Sequence, residues 1–301
     1  MAPEVDNLYS LSNPLATISQ LSTSSSQLDG IPASLETSLR YAGAQLTQAA
    51  GILLRLPQDI IAQAIVTFYR FYLGSDGGSF RINCAKDISA ASLYMNAKLS
   101  FYPQSPRSIL NVYTYLLSSA SPFRSPTAGL SKPDPESYFL SEGSYQAAKA
   151  TLFQTESILL RSISFVTQVI LPHHLALTYL QTLAALPSTP TERSTALATR
   201  TLEHLNTALL SPQLLYLTHQ PPSLAVAAIY LAAREVGVKL ANVEWWEVFD
   251  VDREELGFLV VALRSCEGWM LEEKQRWKGR SCPLSLEELE AELKTGEVEG
   301  P

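Results

Sequence analysis

The stretch Lys86–Ser100, KDISAASLYMNAKLS, decides the fold expected for this chain. Its apolar positions recur at the spacing of a helix face. Most of the remaining positions are alanine or serine, whose small side chains let neighbouring helices approach the backbone closely. Asp87 lies in the predicted first turn, where the helix dipole stabilises a carboxylate. The pattern therefore predicts a helix that is buried on nearly every side and around which other helices are organised.

Lys98 is the exception in this stretch, because it lies near the end of an otherwise apolar helix. Lysine is rarely buried without a partner. Its ammonium group must therefore either reach solvent along its own methylene chain or pair with another group. The sequence pattern leaves both alternatives open, and the function of the chain depends on which of them holds.

The composition favours an all-helical protein with a sizeable core. The chain has 301 residues, of which 46% are hydrophobic and 17% are charged, and leucine and alanine outnumber valine and isoleucine. Its formal net charge of −7 repels phosphate backbones, so we expect no direct contact with nucleic acid. No apolar run approaches the roughly 20 residues that a membrane span needs, and no basic and apolar signal peptide is visible. We therefore expect no membrane partner.

The residues that commonly bind metals or perform catalysis do not form a recognisable motif. Cys84, Cys266 and Cys282 lie far apart and have no metal-ligand spacing. The adjacent His173 and His174 point in different directions from a helix. The chain also lacks a Gly-rich phosphate loop, a nucleophile elbow and the aspartate-rich motif of a helical isoprenoid synthase. We expect no catalytic residue, no metal, no cofactor and no small-molecule substrate.

The pattern predicts two helical domains with additional segments at both ends. We expect an N-terminal arm at 1–32, a first domain at 33–168, a second domain at 169–270 and an acidic C-terminal extension at 271–301. The Ser/Pro-rich residues 118–137 predict a long exposed loop within the first domain.

An internal repeat supports two copies of one helical unit. Ala91–Lys98, ASLYMNAK, aligns with Ala227–Arg234, AAIYLAAR. Each copy has a tyrosine, Tyr94 or Tyr230, followed four residues later by a basic side chain. Two such copies explain the length of the chain without a sheet.

These motifs resemble those of the cyclins over about residues 35–269. The resemblance rests on Leu56–Ala64 (LPQDIIAQA), Ala90–Lys98, Pro106–Ile109 (PRSI), Thr155–Arg161 (TESILLR), Leu171–His174 (LPHH) and Pro222–Arg234. Within the family, the chain is similar to the transcription and RNA-processing cyclins of the L, K, T and Q group. The segment Trp245–Phe249, WWEVF, is similar to cyclin Q in particular. The implied fold is all-α: two tandem five-helix cyclin boxes, a flexible N-terminal arm and a short C-terminal extension.

The resemblance implies a regulatory subunit and not an enzyme. Such a subunit binds and allosterically activates a cyclin-dependent serine/threonine kinase, here in transcription or RNA processing, by packing against the αC helix of the kinase. In the family, a lysine and a glutamate from two helices of the first box meet the kinase, and the matching positions are Lys98 and Glu156. The apolar positions that match the surroundings of this pair are Met95, Leu99, Leu160 and Phe165. The family places acidic residues after the lysine, whereas this chain has Leu99–Tyr102, LSFY.

Further expectations follow from the resemblance and from the residues themselves. The implied location is the nucleus, with the cytoplasm as an additional location, and the implied assembly is a heterodimer with the kinase. Ser121 and Ser125 in the 118–137 loop precede prolines and are candidate phosphorylation sites. The alternative is a cyclin-fold general transcription factor or a scaffold without a kinase partner. A DNA-binding factor of that class should carry a basic surface and a zinc ribbon, and the sequence shows neither.

Overall fold

The computed structural model describes residues 12–118, 121–123, 138–183, 185, 191–240, 244–278, 280 and 283–298. Within these ranges the regular structure is helical and contains no strand, which confirms the all-α class. None of the helices in the described ranges is long and apolar enough to cross a membrane. The backbone contacts divide the described chain into two compact units. We call 17–168 with 272–298 the N-terminal unit, and 12–16 with 169–271 the C-terminal unit.

The helices of the described residues divide between the two units. In the N-terminal unit they are α1 (Ile18–Ser22), α2 (Ser25–Leu28), α3 (Ala33–Leu53), α4 (Gln58–Phe71), α5 (Ala85–Leu99), α6 (Pro106–Leu117), α7 (Glu142–Ser162) and α13 (Leu286–Val298). In the C-terminal unit they are α8 (Pro172–Thr182), α9 (Glu192–Ala208), α10 (Leu215–Thr218), α11 (Pro221–Val236) and a 3₁₀ helix (Trp245–Phe249). The division between the units falls within α12 (Arg253–Arg276), after Leu271.

The helix ends are set by local sequence signals. Pro106 occupies the first turn of α6, and the Ser105 hydroxyl before it accepts a hydrogen bond from the amide of Ser108 at 3.1 Å. Ser141 caps α7 in the same way. Helix α11 ends at Gly237, whose φ of 72° lies in the left-handed region that glycine adopts without a β-carbon penalty.

Helix α5 is the buried centre of the N-terminal unit, as the Lys86–Ser100 pattern predicts. It packs against α3, α4, α6 and α7, and its residues from Ile88 to Ala97 are all buried. A chain of hydroxyl groups joins three of these helices: Thr47 Oγ1 lies 2.7 Å from Ser89 Oγ, which lies 2.7 Å from the Tyr113 hydroxyl. These three buried hydroxyl groups therefore satisfy one another.

Helix α11 has the corresponding position in the C-terminal unit, where it packs against α8 and α9. The sequence repeat is also a structural repeat. The Lys98 ammonium lies 5.2 Å from the centre of the Tyr94 ring, and the Arg234 guanidinium lies 5.9 Å from the centre of the Tyr230 ring. Both copies therefore place a cation over the face of the tyrosine one helical turn earlier.

The first described residues of the chain belong to the C-terminal unit. The Asn13 side chain donates to the Ile170 carbonyl and accepts from the Ile170 amide, both at 2.8 Å. Its backbone amide donates to Gln220 Oε1 at 2.9 Å, and its carbonyl accepts from Gln220 Nε2 at 3.1 Å. Asn13 is buried, so these four bonds fix the segment at 12–16 to the beginning of α8 and α11.

The end of the chain belongs to the N-terminal unit and contacts α3. The Trp277 indole donates to Ser38 Oγ at 3.0 Å, and the same hydroxyl donates to the buried carboxylate of Glu273. The Arg81 guanidinium pairs with Glu290 of α13 through two nitrogens, at 2.5 and 3.1 Å. The C-terminal segment is therefore part of the packed unit.

Candidate partner-binding site

Lys98 and Glu156 meet because α5 packs against α7. The Lys98 ammonium forms an ion pair with Glu156 Oε1. Lysine in the last turn of a helix is also favoured by the helix dipole. Of the two alternatives left open by the sequence, the structure therefore shows the one in which Lys98 has an acidic partner.

The two members of this ion pair differ in their access to solvent. The Lys98 side chain is 48% exposed, whereas the Glu156 side chain is only 10% exposed. The Tyr94 ring lies under the ammonium and stacks at 6.0 Å on the ring of Phe153 from α7. Because an ammonium group has three N–H donors, Lys98 retains hydrogen-bonding capacity for a group outside the chain.

The structure places the four apolar candidates differently. Leu99 is exposed, Leu160 is partly buried, and Phe165 is 68% exposed just after the end of α7. Met95 is only 1% exposed and lies in the core, because its position on α5 faces the packed helices. Met95 can therefore support the surface from below but does not itself form it.

Additional exposed apolar residues lie on the same two helices or in the segments that directly follow them. These are Phe101, Tyr102, Phe153, Ile158 and Val166. Phe101 is fully exposed. Exposed apolar side chains of this size are unfavourable in water and often mark interaction sites when they are grouped. The sequence signal for two of them was the LSFY segment that replaces the acidic residues usual in the family.

Comparison with known proteins identifies the fold and the relatives. No family model matches the chain. Cyclin-L2 of Homo sapiens is 31% identical over 257 residues, which make up 83% of this chain and 45% of that protein. Cyclin-L1 of Homo sapiens is 30% identical over the same length, with the same coverage of 83% and 45%. The chain belongs to the cyclin family. It spans less than half the length of these relatives.

Two solved structures share the fold of this cyclin at low sequence identity. One is a crystal structure of the yeast RNA Pol II CTD kinase CTDK-1 complex, with a TM-score of 0.65 and 14% identity over 97% of this chain and 84% of that chain. The other is the CAK complex from Chaetomium thermophilum bound to ATP-γ-S, with a TM-score of 0.51 and 17% identity over 87% and 78%. These matches support the two-box architecture of the cyclin.

The two candidate phosphorylation sites of this cyclin stay predictions. Ser121 is buried, and its hydroxyl accepts a hydrogen bond from the amide of Phe123 at 3.2 Å. A kinase could reach Ser121 only after this segment opens locally. Ser125 lies outside the described residues.

His173 makes a contact between two helices, whereas the adjacent His174 is exposed. His173 Nε2 lies 2.9 Å from Asn206 Oδ1, which joins α8 to α9. Within the described residues, no group of three or more histidine, cysteine, aspartate or glutamate side chains could hold a metal ion.

Proposed function

We propose that this cyclin is the regulatory subunit that binds and allosterically activates a cyclin-dependent serine/threonine kinase acting in transcription or RNA processing. The observation that carries the proposal is the half-exposed ion pair between Lys98 and Glu156, with exposed apolar residues on the same helices. In this proposal the cyclin performs no chemistry, and the kinase supplies the catalytic groups.

The ion pair is suited to binding the backbone of a partner helix. Glu156 holds the Lys98 ammonium in place, so less side-chain entropy is lost when the lysine donates to a partner carbonyl. Charge-assisted hydrogen bonds of this kind are stronger than neutral ones. Leu99 and Phe165 then supply apolar area that becomes dehydrated on binding.

The energetic requirement for activation is moderate. The active fraction of a kinase rises from about one molecule in a hundred to about ninety-nine in a hundred when the active state is bound about 5.5 kcal/mol more tightly. A partner that packs against the αC helix can discriminate by this amount if it contacts only the inward orientation. The exposed residues that follow α5 and α7 are the groups that would make this discrimination.

The comparisons support the proposal. The relatives that share most of this chain are Cyclin-L1 and Cyclin-L2, and the two solved structures of similar fold are the CTDK-1 complex and a CAK complex bound to ATP-γ-S. The yeast complex is an RNA Pol II CTD kinase. By analogy, we propose that this cyclin acts in the nucleus as a heterodimer with its kinase.

Affinity purification of the tagged cyclin from its native cells, followed by mass spectrometry and a kinase assay, tests this function. We expect one cyclin-dependent kinase to copurify with the wild type and with Lys86→Ala, but not with Lys98→Ala. Lys86 is a matched control, because it lies on the same helix and its side chain is 46% exposed. Equal recovery with all three proteins would contradict the proposed surface, and recovery of transcription factors without a kinase would support the scaffold alternative.

A further inference from the structure

The segment 163–168, which follows α7, has an unusual backbone conformation. Ser164 and Phe165 have φ angles of 53° and 60°, in the left-handed region. Two consecutive residues with a β-carbon rarely adopt this conformation, because the β-carbon approaches the following carbonyl oxygen. Strained conformations of this kind persist where the surrounding structure fixes them, and they are found preferentially at functional sites.

The left-handed turn presents two apolar side chains to solvent. Phe165 and Val166 are both exposed, whereas Ile163, the residue that caps the end of α7, is buried. The turn itself is closed by backbone hydrogen bonds, from the Phe165 amide to the Leu160 carbonyl at 2.8 Å and from the Val166 amide to the Ile163 carbonyl at 3.0 Å. These bonds fix the beginning of the segment, while the carbonyls of Val166 and Gln168 remain for other donors.

Arg70, in the last turn of α4, supplies the donor. Its Nη1 donates to the Gln168 carbonyl at 3.0 Å and lies 3.5 Å from the Val166 carbonyl. Its Nη2 is buried and has no hydrogen-bond partner among the described residues. Burial also lowers the pKa of Arg70. The guanidinium is therefore held in an unfavourable environment by its contact with this segment.

We propose that Arg70 is a positioning residue for partner binding: it clamps the segment 163–168 in the left-handed conformation that presents Phe165 and Val166 to the kinase. This inference rests on the proposed function. It differs from a purely stabilising role, because the clamp acts on the presentation of two exposed side chains, and those side chains contribute little to the core.

The inference predicts a specific pattern of binding and rescue. Arg70→Met should weaken binding of the copurified kinase about tenfold, as Phe165→Ala should, and the two changes together should cost little more than either alone. Ser164→Asn should restore part of the affinity of Arg70→Met, because asparagine adopts the left-handed conformation more readily than serine. Arg107→Met is the matched control, since Arg107 pairs with the exposed Glu142 and should leave affinity unchanged.

Hydrogen exchange in the absence of kinase provides the second readout. In Arg70→Met, the amides of 163–168 should exchange faster while those of α4 and α5 keep their protection, and Ser164→Asn should slow the exchange again. Unchanged exchange in 163–168, full additivity with Phe165→Ala, or no rescue would each overturn the inference. If Lys98→Ala still abolishes binding while Arg70→Met does not affect it, the clamp fails and the proposed function stands. If no kinase binds the wild type, the proposed function is wrong, and Arg70 then has no role in presenting Phe165 and Val166 to a kinase.

Discussion

The unequal exposure of Lys98 and Glu156 predicts an unequal cost of removing either partner. Lys98→Met leaves a carboxylate that is only 10% exposed without its counter-charge. Breaking a fully buried ion pair costs about 3–5 kcal/mol, whereas exposed pairs contribute about 0–1 kcal/mol. The Lys98 side chain is 48% exposed, so in the variant water can reach the position of the ammonium and partly solvate the Glu156 carboxylate. We therefore expect Lys98→Met to destabilise the N-terminal unit by about 1–2 kcal/mol.

Removing the charge of Glu156 should lower the free energy of unfolding by less than removing that of Lys98. Glu156→Gln keeps the shape of the side chain and its capacity to hydrogen bond, and it leaves an ammonium that can turn towards water. We expect a loss of about 0.5 kcal/mol for this variant. In the double variant the neutral glutamine no longer requires a counter-charge, so its cost should lie well below the sum of the two single costs.

Hydrogen exchange of the α5 and α7 amides measures these differences locally, which matters because two compact units need not unfold in one step. Lys86→Met is the control, as Lys86 contacts the partly exposed Asp87 on the same helix. The reasoning would be refuted by equal costs for the two single variants, by additive costs in the double variant, or by an equally large cost for Lys86→Met.

Three further outcomes are expected from other contacts. Ser38→Ala should destabilise the N-terminal unit by about 2–3 kcal/mol, measured by hydrogen exchange of the α3 amides, because it leaves the buried Trp277 indole and Glu273 carboxylate without their shared hydroxyl. Burial raises the pKa of Tyr113 above its ordinary value of 10, so the tyrosine ionises in the unfolded state before it does in the folded state. The unfolding free energy should therefore fall as the pH rises above 10, and Tyr113→Phe should make it less dependent on pH in that range. Phe101→Ala should change thermal stability by less than about 0.5 kcal/mol, since the side chain is fully exposed, yet weaken kinase binding about tenfold in a titration.

The centre of the fold could be predicted from sequence because its signals are local. The small residues and apolar spacing of α5 indicate burial on all sides. Ser105 with Pro106 marks the beginning of α6, and Ser141 marks the beginning of α7. The meeting of Lys98 and Glu156 depends on the packing of two helices that are distant in sequence, so only the family resemblance could indicate it. Met95 lies in the core, and a helix that is apolar on nearly every side gives no local signal for which of its residues face a partner.

The elements that sequence analysis missed depend on contacts or backbone conformations that have no local signal. Helix α10 begins after Leu214, whose φ of 53° would not be expected of a leucine. Helix α12 continues to Arg276 through a charged run, 272–276, that is typical of a solvated surface. The burial of Glu273 in that run depends on Ser38, far away in the sequence.

The assignment of residues 12–16 and 272–298 to opposite units has a consequence for biosynthesis. Residues 272–298 complete the unit that begins at residue 17, so the ribosome releases the partners of Ser38 and Arg81 only after the whole second box has been made. The N-terminal unit therefore stays incompletely assembled until residues 272–298 have been translated. For the same reason, cutting the gene between the codons for residues 168 and 169 would yield two fragments that each lack a piece of their own domain.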